Sequence, residues 1–93
     1  LNAPNAPILE SATKEGKAIR LVWSNNDERT VKYKIEKSQI FGMVGTDKFE
    51  VSGGTTFSDT DIESGKTYYY KVYAVDEYGV TSSASNSLSV EVE

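Results

Sequence analysis

The chain reads as all-β, seven short antiparallel strands in a two-sheet sandwich, and three observations lead there. Apolar and polar residues alternate with period two along most of its length, as strands with one wet face require. No window shows apolar residues recurring every three and four positions, so an amphipathic helix has no support. Clusters of Gly, Asn, Asp and Ser punctuate the alternation at regular intervals, the spacing expected of short strands joined by tight turns. A single sheet with one apolar face would leave that face uncovered, which argues for a second sheet packed on the first. A small barrel is the alternative arrangement.

Taken in order, strands are expected at residues 8–13, 18–24, 31–37, 47–52, 55–58, 67–76 and 86–92. The second places Ile19, Leu21 and Trp23 on one face. The third places Val31, Tyr33 and Ile35 on one face, with Lys32, Lys34 and Glu36 opposite. Between these two, residues 25–28 (Asn, Asn, Asp, Glu) are turn chemistry, since short polar side chains bond their own backbone. Gly53-Gly54, residues 63–66 around Gly65, and residues 77–79 ending in Gly79 mark the later turns. The sixth strand is the longest, with Tyr68, Tyr70, Val72 and Ala74 inward and Tyr69, Lys71 and Tyr73 outward. The seventh alternates Leu88, Val90 and Val92 with Ser89, Glu91 and Glu93.

Ninety-three residues suffice for one core, since domains run to about 100–200 residues. With 38% hydrophobic and 26% charged residues, the chain is expected to fold around a small core. Residues 1–7 hold two prolines three apart, which stiffen the backbone, and read as an interdomain linker ahead of a domain of residues 8–93. The start lacks an initiator methionine and an apolar leader, as an excised module with a domain before it would.

Composition narrows the function classes. Fourteen acidic against ten basic side chains leave a net charge of −4, which opposes capture of nucleic acid and anionic lipid. No stretch of the sequence is apolar enough to insert into a membrane as a helix. Neither cysteine nor histidine is present, so thiolate nucleophiles, imidazole bases and the usual zinc ligands are missing together. No cofactor is expected. Paired carboxylates are the remaining catalytic constellation, with Asp59 and Asp61 or Asp76 and Glu77 as candidates. On surface turns such pairs stay solvated, and a small sandwich offers little room for a cleft, so no catalytic residue is assigned. Residues 59–61 and 25–28 carry oxygens suited to calcium, but each cluster is too short to supply six to eight ligands; turn roles explain them better.

Three groups are candidates for contact with a ligand or partner. Tyr69 and Tyr73 lie outward on the sixth strand, roughly 13 Å apart, and form either an aromatic platform or packing partners for the Lys32 and Lys34 stems. Tyr78 sits at a loop tip and reads either as a contact anchor or as a ring packed over a glycine turn. Ile40, Phe41, Met43 and Val44 form a glycine-flanked apolar segment, which either folds over the sandwich edge or stays exposed as a patch.

Trp23, Tyr33, Ile35, Ile62, Tyr68, Tyr70, Val72 and Ala74 together resemble the core pattern of the fibronectin type III domain, across nearly the whole chain. Trp23 matches that family's buried second-strand tryptophan, and Tyr33 with Ile35 its third-strand aromatic and aliphatic pair. Ile62 followed by a Gly65 turn and Tyr68 resembles the tyrosine corner, whose hydroxyl bonds to backbone upstream. Residues 68–83 are similar to the microbial extracellular version found in secreted glycoside hydrolases and surface proteins. No Arg-Gly-Asp tripeptide is present, so integrin binding is not carried over. The resemblance implies an immunoglobulin-like sandwich, monomeric by itself, in an extracellular or cell-surface bacterial protein. It implies a spacer and docking element between neighbouring domains of the same chain, with polysaccharide or protein contact as the alternative.

Overall fold

The computed structural model describes residues 2–39 and 47–93. Among the described residues seven strands form two antiparallel sheets: β1 (Ile8–Glu15), β2 (Ala18–Ser24) and β5 (Thr56–Asp59) in the order β1-β2-β5, and β3 (Thr30–Ser38), β4 (Asp47–Val51), β6 (Thr67–Asp76) and β7 (Leu88–Glu91) in the order β4-β3-β6-β7. The architecture is the expected sandwich. Alternating apolar side chains of both sheets meet in the space between them, which is how two half-wet sheets remove apolar surface from water. Ile19, Leu21 and Trp23 from β2 face Tyr33 and Ile35 from β3 and Tyr68, Tyr70, Val72 and Ala74 from β6, and all are buried. Ile62 packs against this cluster while partly exposed. The Trp23 and Tyr33 rings meet edge-on at 5.3 Å between centroids. Phe49 of β4 and Phe57 of β5, 5.1 Å apart, close the gap between the sheets at their edges.

Local differences from the sequence reading have physical causes. β1 runs two residues further than expected, because Gly16, at φ 62, lets a two-residue turn join Glu15 directly to its partner Ala18. Val31 does not share the inward face of Tyr33 and Ile35. A bulge between Thr30 and Lys32 puts one extra residue into β3 opposite β6, and Val31 is left 53% exposed. From Tyr33 onward the alternation is restored, and it carries on to Lys37, which therefore points inward.

β7 begins at Leu88, two residues later than expected, because side chains replace the ladder in the approach to it. The Val72 and Ala74 amides of β6 donate to the hydroxyls of Ser85 and Ser82 at 2.9 Å each, and the amides of the same two serines donate back to the carbonyls of Val72 and Ala74. Asn86 then spans to the other sheet. Its side-chain oxygen accepts from the Leu9 amide and its nitrogen donates to the Leu9 carbonyl, both at 2.9 Å, as a neighbouring strand would.

Residues 2–7, read as a connector, lie against the β2–β3 loop with Pro4 and Pro7 buried. The Asn5 amide donates to Asp27 Oδ2 at 2.8 Å, the Asn5 side chain donates to the Asn26 carbonyl, and Arg29 donates to the carbonyls of Asn2 and Ala3. Among the described residues no helix is long and apolar enough to cross a membrane.

Candidate functional site

The β2–β3 and β6–β7 loops come together at one end of the sandwich, beside residues 2–7. Both are shaped by a carboxylate that bonds its own loop. Asp27 Oδ1 accepts from the Arg29 amide and Nε, and Oδ2 from Arg29 Nη2 at 2.8 Å, so the guanidinium is held in a forked pair. The side-chain bond from Arg29, then the Arg29 and Asn5 amides, hold the Asp27 carboxyl far below the ordinary aspartate range. Across the mouth, Asp76 Oδ1 accepts from the amides of Tyr78 and Val80, each at 2.9 Å, while the Gly79 amide donates to the Asp76 carbonyl.

The two loops enclose a groove of about 410 Å³, lined by Glu28, Arg29, Val31, Asp76, Glu77 and Tyr78. Tyr78 is 69% exposed, so its ring is not packed over the turn that carries it. Asp76 is buried and spends its carboxylate on the loop, while Glu77 is exposed beside it.

Tyr69 and Tyr73 lie on the outer face of β6, half-buried. Tyr73 stands opposite Lys34 and lines a shallow hollow of about 180 Å³ with Lys34, Glu36, Lys48 and Thr81. Partial burial, and then its hydrogen bond to Glu36, raise the Tyr73 phenol above its ordinary pKa. The two tyrosines are therefore in different settings from Tyr78, which lies beyond the end of β6 in the loop that follows it. Ile40, Phe41, Met43 and Val44 lie outside the described residues.

A cluster that residue types alone do not suggest lies between the sheets. Lys37 of β3 and Asp59 of β5 pair at 2.8 Å with both side chains almost wholly enclosed. Tyr70 donates to Asp59 Oδ2 at 2.7 Å, the Asp61 amide donates to Oδ1 at 3.1 Å, and Lys37 also donates to the Asp61 carbonyl. The Lys37 ammonium sits over the Tyr68 ring at 4.6 Å from its centroid. Burial, then the bond to Asp59, raise the Tyr70 phenol far above its ordinary range and keep it protonated. Asp59 and Asp61, the sequence's candidate carboxylate pair, are thus separated in role: Asp59 is sealed with its cation and Asp61 is exposed. The signal for the cluster was the parity of the strand, since Lys37 falls two residues after Ile35.

Next to it, the Glu63 amide donates to the Tyr68 hydroxyl at 2.8 Å, which is the bond of a tyrosine corner. The Gly65 amide donates to the Val92 carbonyl and the Val92 amide to the Lys66 carbonyl, fastening the end of the chain to the same turn. Among the described residues no group of three or more acidic side chains is placed to hold a metal ion.

No protein-family profile matches the chain. It is 36% identical over 85 residues to an amylopullulanase of Thermoanaerobacterium saccharolyticum, covering 91% of this chain and 7% of that enzyme. It is 33% identical over 86 residues to an amylopullulanase of Thermoanaerobacterium thermosulfurigenes, covering 92% of this chain and 5% of the enzyme. The chain therefore corresponds to a small fraction of the curated relatives it matches. Among solved structures, an Fn3-like protein from Clostridium thermocellum superposes with a TM-score of 0.80 at 26% identity, over 99% of this chain and 96% of the other. With its two-sheet strand order, its buried Trp23 and its Tyr68 corner, the chain is a fibronectin type III-like domain.

Proposed function

We propose that the chain is a non-catalytic module that spaces and orients neighbouring domains in a larger bacterial enzyme degrading a glycan, secreted or held at the cell surface. The observation that carries this reading is the fastening of residues 2–7. Four bonds to the connector come from the β2–β3 loop, and two of them use an Arg29 already fixed by Asp27. A spacer needs a defined angle between itself and what it joins, and a connector bonded along its length loses the freedom a Gly and Ser linker would keep. The similarity to short stretches of two amylopullulanases supports the setting: a module beside a catalytic domain whose polymer is an amylose-type glucan or pullulan. The buried Lys37 and Asp59 pair is in keeping with the non-catalytic part, since each group spends its charge on the other and both side chains are almost wholly enclosed.

The test is a fusion of a rigid, dye-labelled domain to residue 1, with a second dye on β6 and the distance distribution read by single-molecule energy transfer. The expected result is a narrow distribution that broadens in Arg29→Ala. Equal breadth in both proteins contradicts the reading.

A further inference from the structure

The groove between the β2–β3 and β6–β7 loops combines features that the spacer role does not require. Its two apolar side chains, Val31 and Tyr78, are among the most exposed large apolar residues described. Val31 is turned out by the bulge in β3, and Tyr78 is carried on a loop that Asp76 holds by two amides. Both are thus presented from held backbone, which lowers the loop-ordering part of the entropy lost when something binds. The polar rim consists of Glu28, Glu77 and Arg29. Arg29 is anchored through Nε and Nη2 to Asp27, and its Nη1 donates to the Asn2 carbonyl with one further hydrogen to spare.

Charge excludes anionic occupants. Three carboxylates and one guanidinium line the groove, and the whole chain carries −4, so phosphate, uronate and acidic peptide are repelled. A neutral polyol fits the rim, because sugar hydroxyls donate to carboxylates and accept from guanidinium N–H groups. The C–H face of a pyranose is apolar and flat, and it stacks on an exposed tyrosine ring with a valine beside it. A groove of about 410 Å³ is within the size of small-ligand sites.

We infer that this groove is a weak contact site for a neutral α-glucan chain, with Tyr78 as the stacking platform, Val31 beside it, and Glu28, Glu77 and Arg29 bonding hydroxyls. The choice of glucan among neutral glycans rests on the glycan-degrading setting proposed above. The contact would keep a segment of polymer close to the module without chemistry of its own.

The experiment is a titration of the 15N-labelled chain with maltoheptaose, followed by amide shifts and repeated on Tyr78→Ala. The expected result is a saturable set of shifts at Glu28, Arg29, Val31, Glu77 and Tyr78, with affinity reduced by about tenfold or more in Tyr78→Ala. Unchanged shifts elsewhere in the variant's own spectrum establish that it is folded. The inference is overturned by any of four results: no shifts with maltoheptaose, shifts centred on Tyr69 and Tyr73, equal binding by Tyr78→Ala, or tighter binding of an oligogalacturonate. Shifts at the groove that depend on protein concentration alone would assign it to a second copy of the chain and also overturn it. Relaxation of residues 2–7 on the same sample tests the spacer role separately, so failure of one reading is distinguishable from failure of the other.

Discussion

The Lys37 ammonium lies 2.8 Å from the Asp59 carboxylate, and with 3% and 2% of their side chains exposed the two form an ion pair sealed between the sheets. Desolvating both charges is costly, and the pair persists because every oxygen has a partner: Tyr70 and Lys37 on Oδ2, and the Asp61 amide on Oδ1. Removing one partner strands the other. Asp59→Ala is therefore expected to cost about 3–5 kcal/mol in urea unfolding. The triple change Lys37→Met, Asp59→Leu, Tyr70→Phe is expected to cost less than Asp59→Ala alone, since it leaves no buried charge. A single change that proves neutral would show that water reaches the pair.

Tyr68→Phe removes only the hydroxyl that accepts from the Glu63 amide, and leaves the ring under Lys37. The loss is expected to be about 1–3 kcal/mol, the range for a part-buried donor left without its acceptor. Faster hydrogen exchange at the Glu63 amide, with the β6 amides unchanged, would localise the effect to the corner.

Asn86→Ala should loosen β1 from the other sheet, because it deletes both bonds to the Leu9 backbone. About 1–3 kcal/mol is expected in unfolding, and Leu9 should lose protection before Ile19 or Leu21 does. Equal loss along β1 and β2 would mean that the sheet opens as a unit and that Asn86 is not the local tie.

Acid should release residues 2–7 before it unfolds the sandwich. The Asp27 carboxyl is held far below its ordinary 3.8 by Arg29 and the Asn5 amide, so its interactions favour the fastened state at any pH above that ordinary value. They are lost as pH falls from that value through the depressed one, because the released state takes up the proton first. Amide signals of residues 2–7 are expected to lose protection below about pH 4 while β6 stays intact. In Asp27→Asn that acid step disappears, with residues 2–7 loose at every pH.

Much of the fold was legible because its strands are half-buried, and period-two alternation is the direct record of one wet face and one dry one. Ile19, Leu21, Trp23, Tyr68, Tyr70, Val72 and Ala74 all face where their parity puts them. Val31 was misplaced because a bulge shifts parity without leaving any mark in residue type. Lys37 and Asp59 were missed for the opposite reason: parity pointed inward, but a charged side chain is ordinarily taken as exposed, and its partner lies on another sheet 22 positions away in sequence. At the candidate site, Tyr78 was read as standing at a loop tip, and its side chain lines the groove together with Glu28 from the turn at residues 25–28. The hold of Asp27 and Arg29 on residues 2–7 was not legible, because nothing in a short proline-containing segment tells which loop it will lie against.

A module that orients a neighbour must hold residues 2–7 in one path, and 15N relaxation of these residues tests that most directly. Order parameters of about 0.85, equal to those of β3 and β6, are expected, falling below about 0.6 in Arg29→Ala. Values below about 0.6 already in the unsubstituted chain would show a flexible connector and contradict the spacer role.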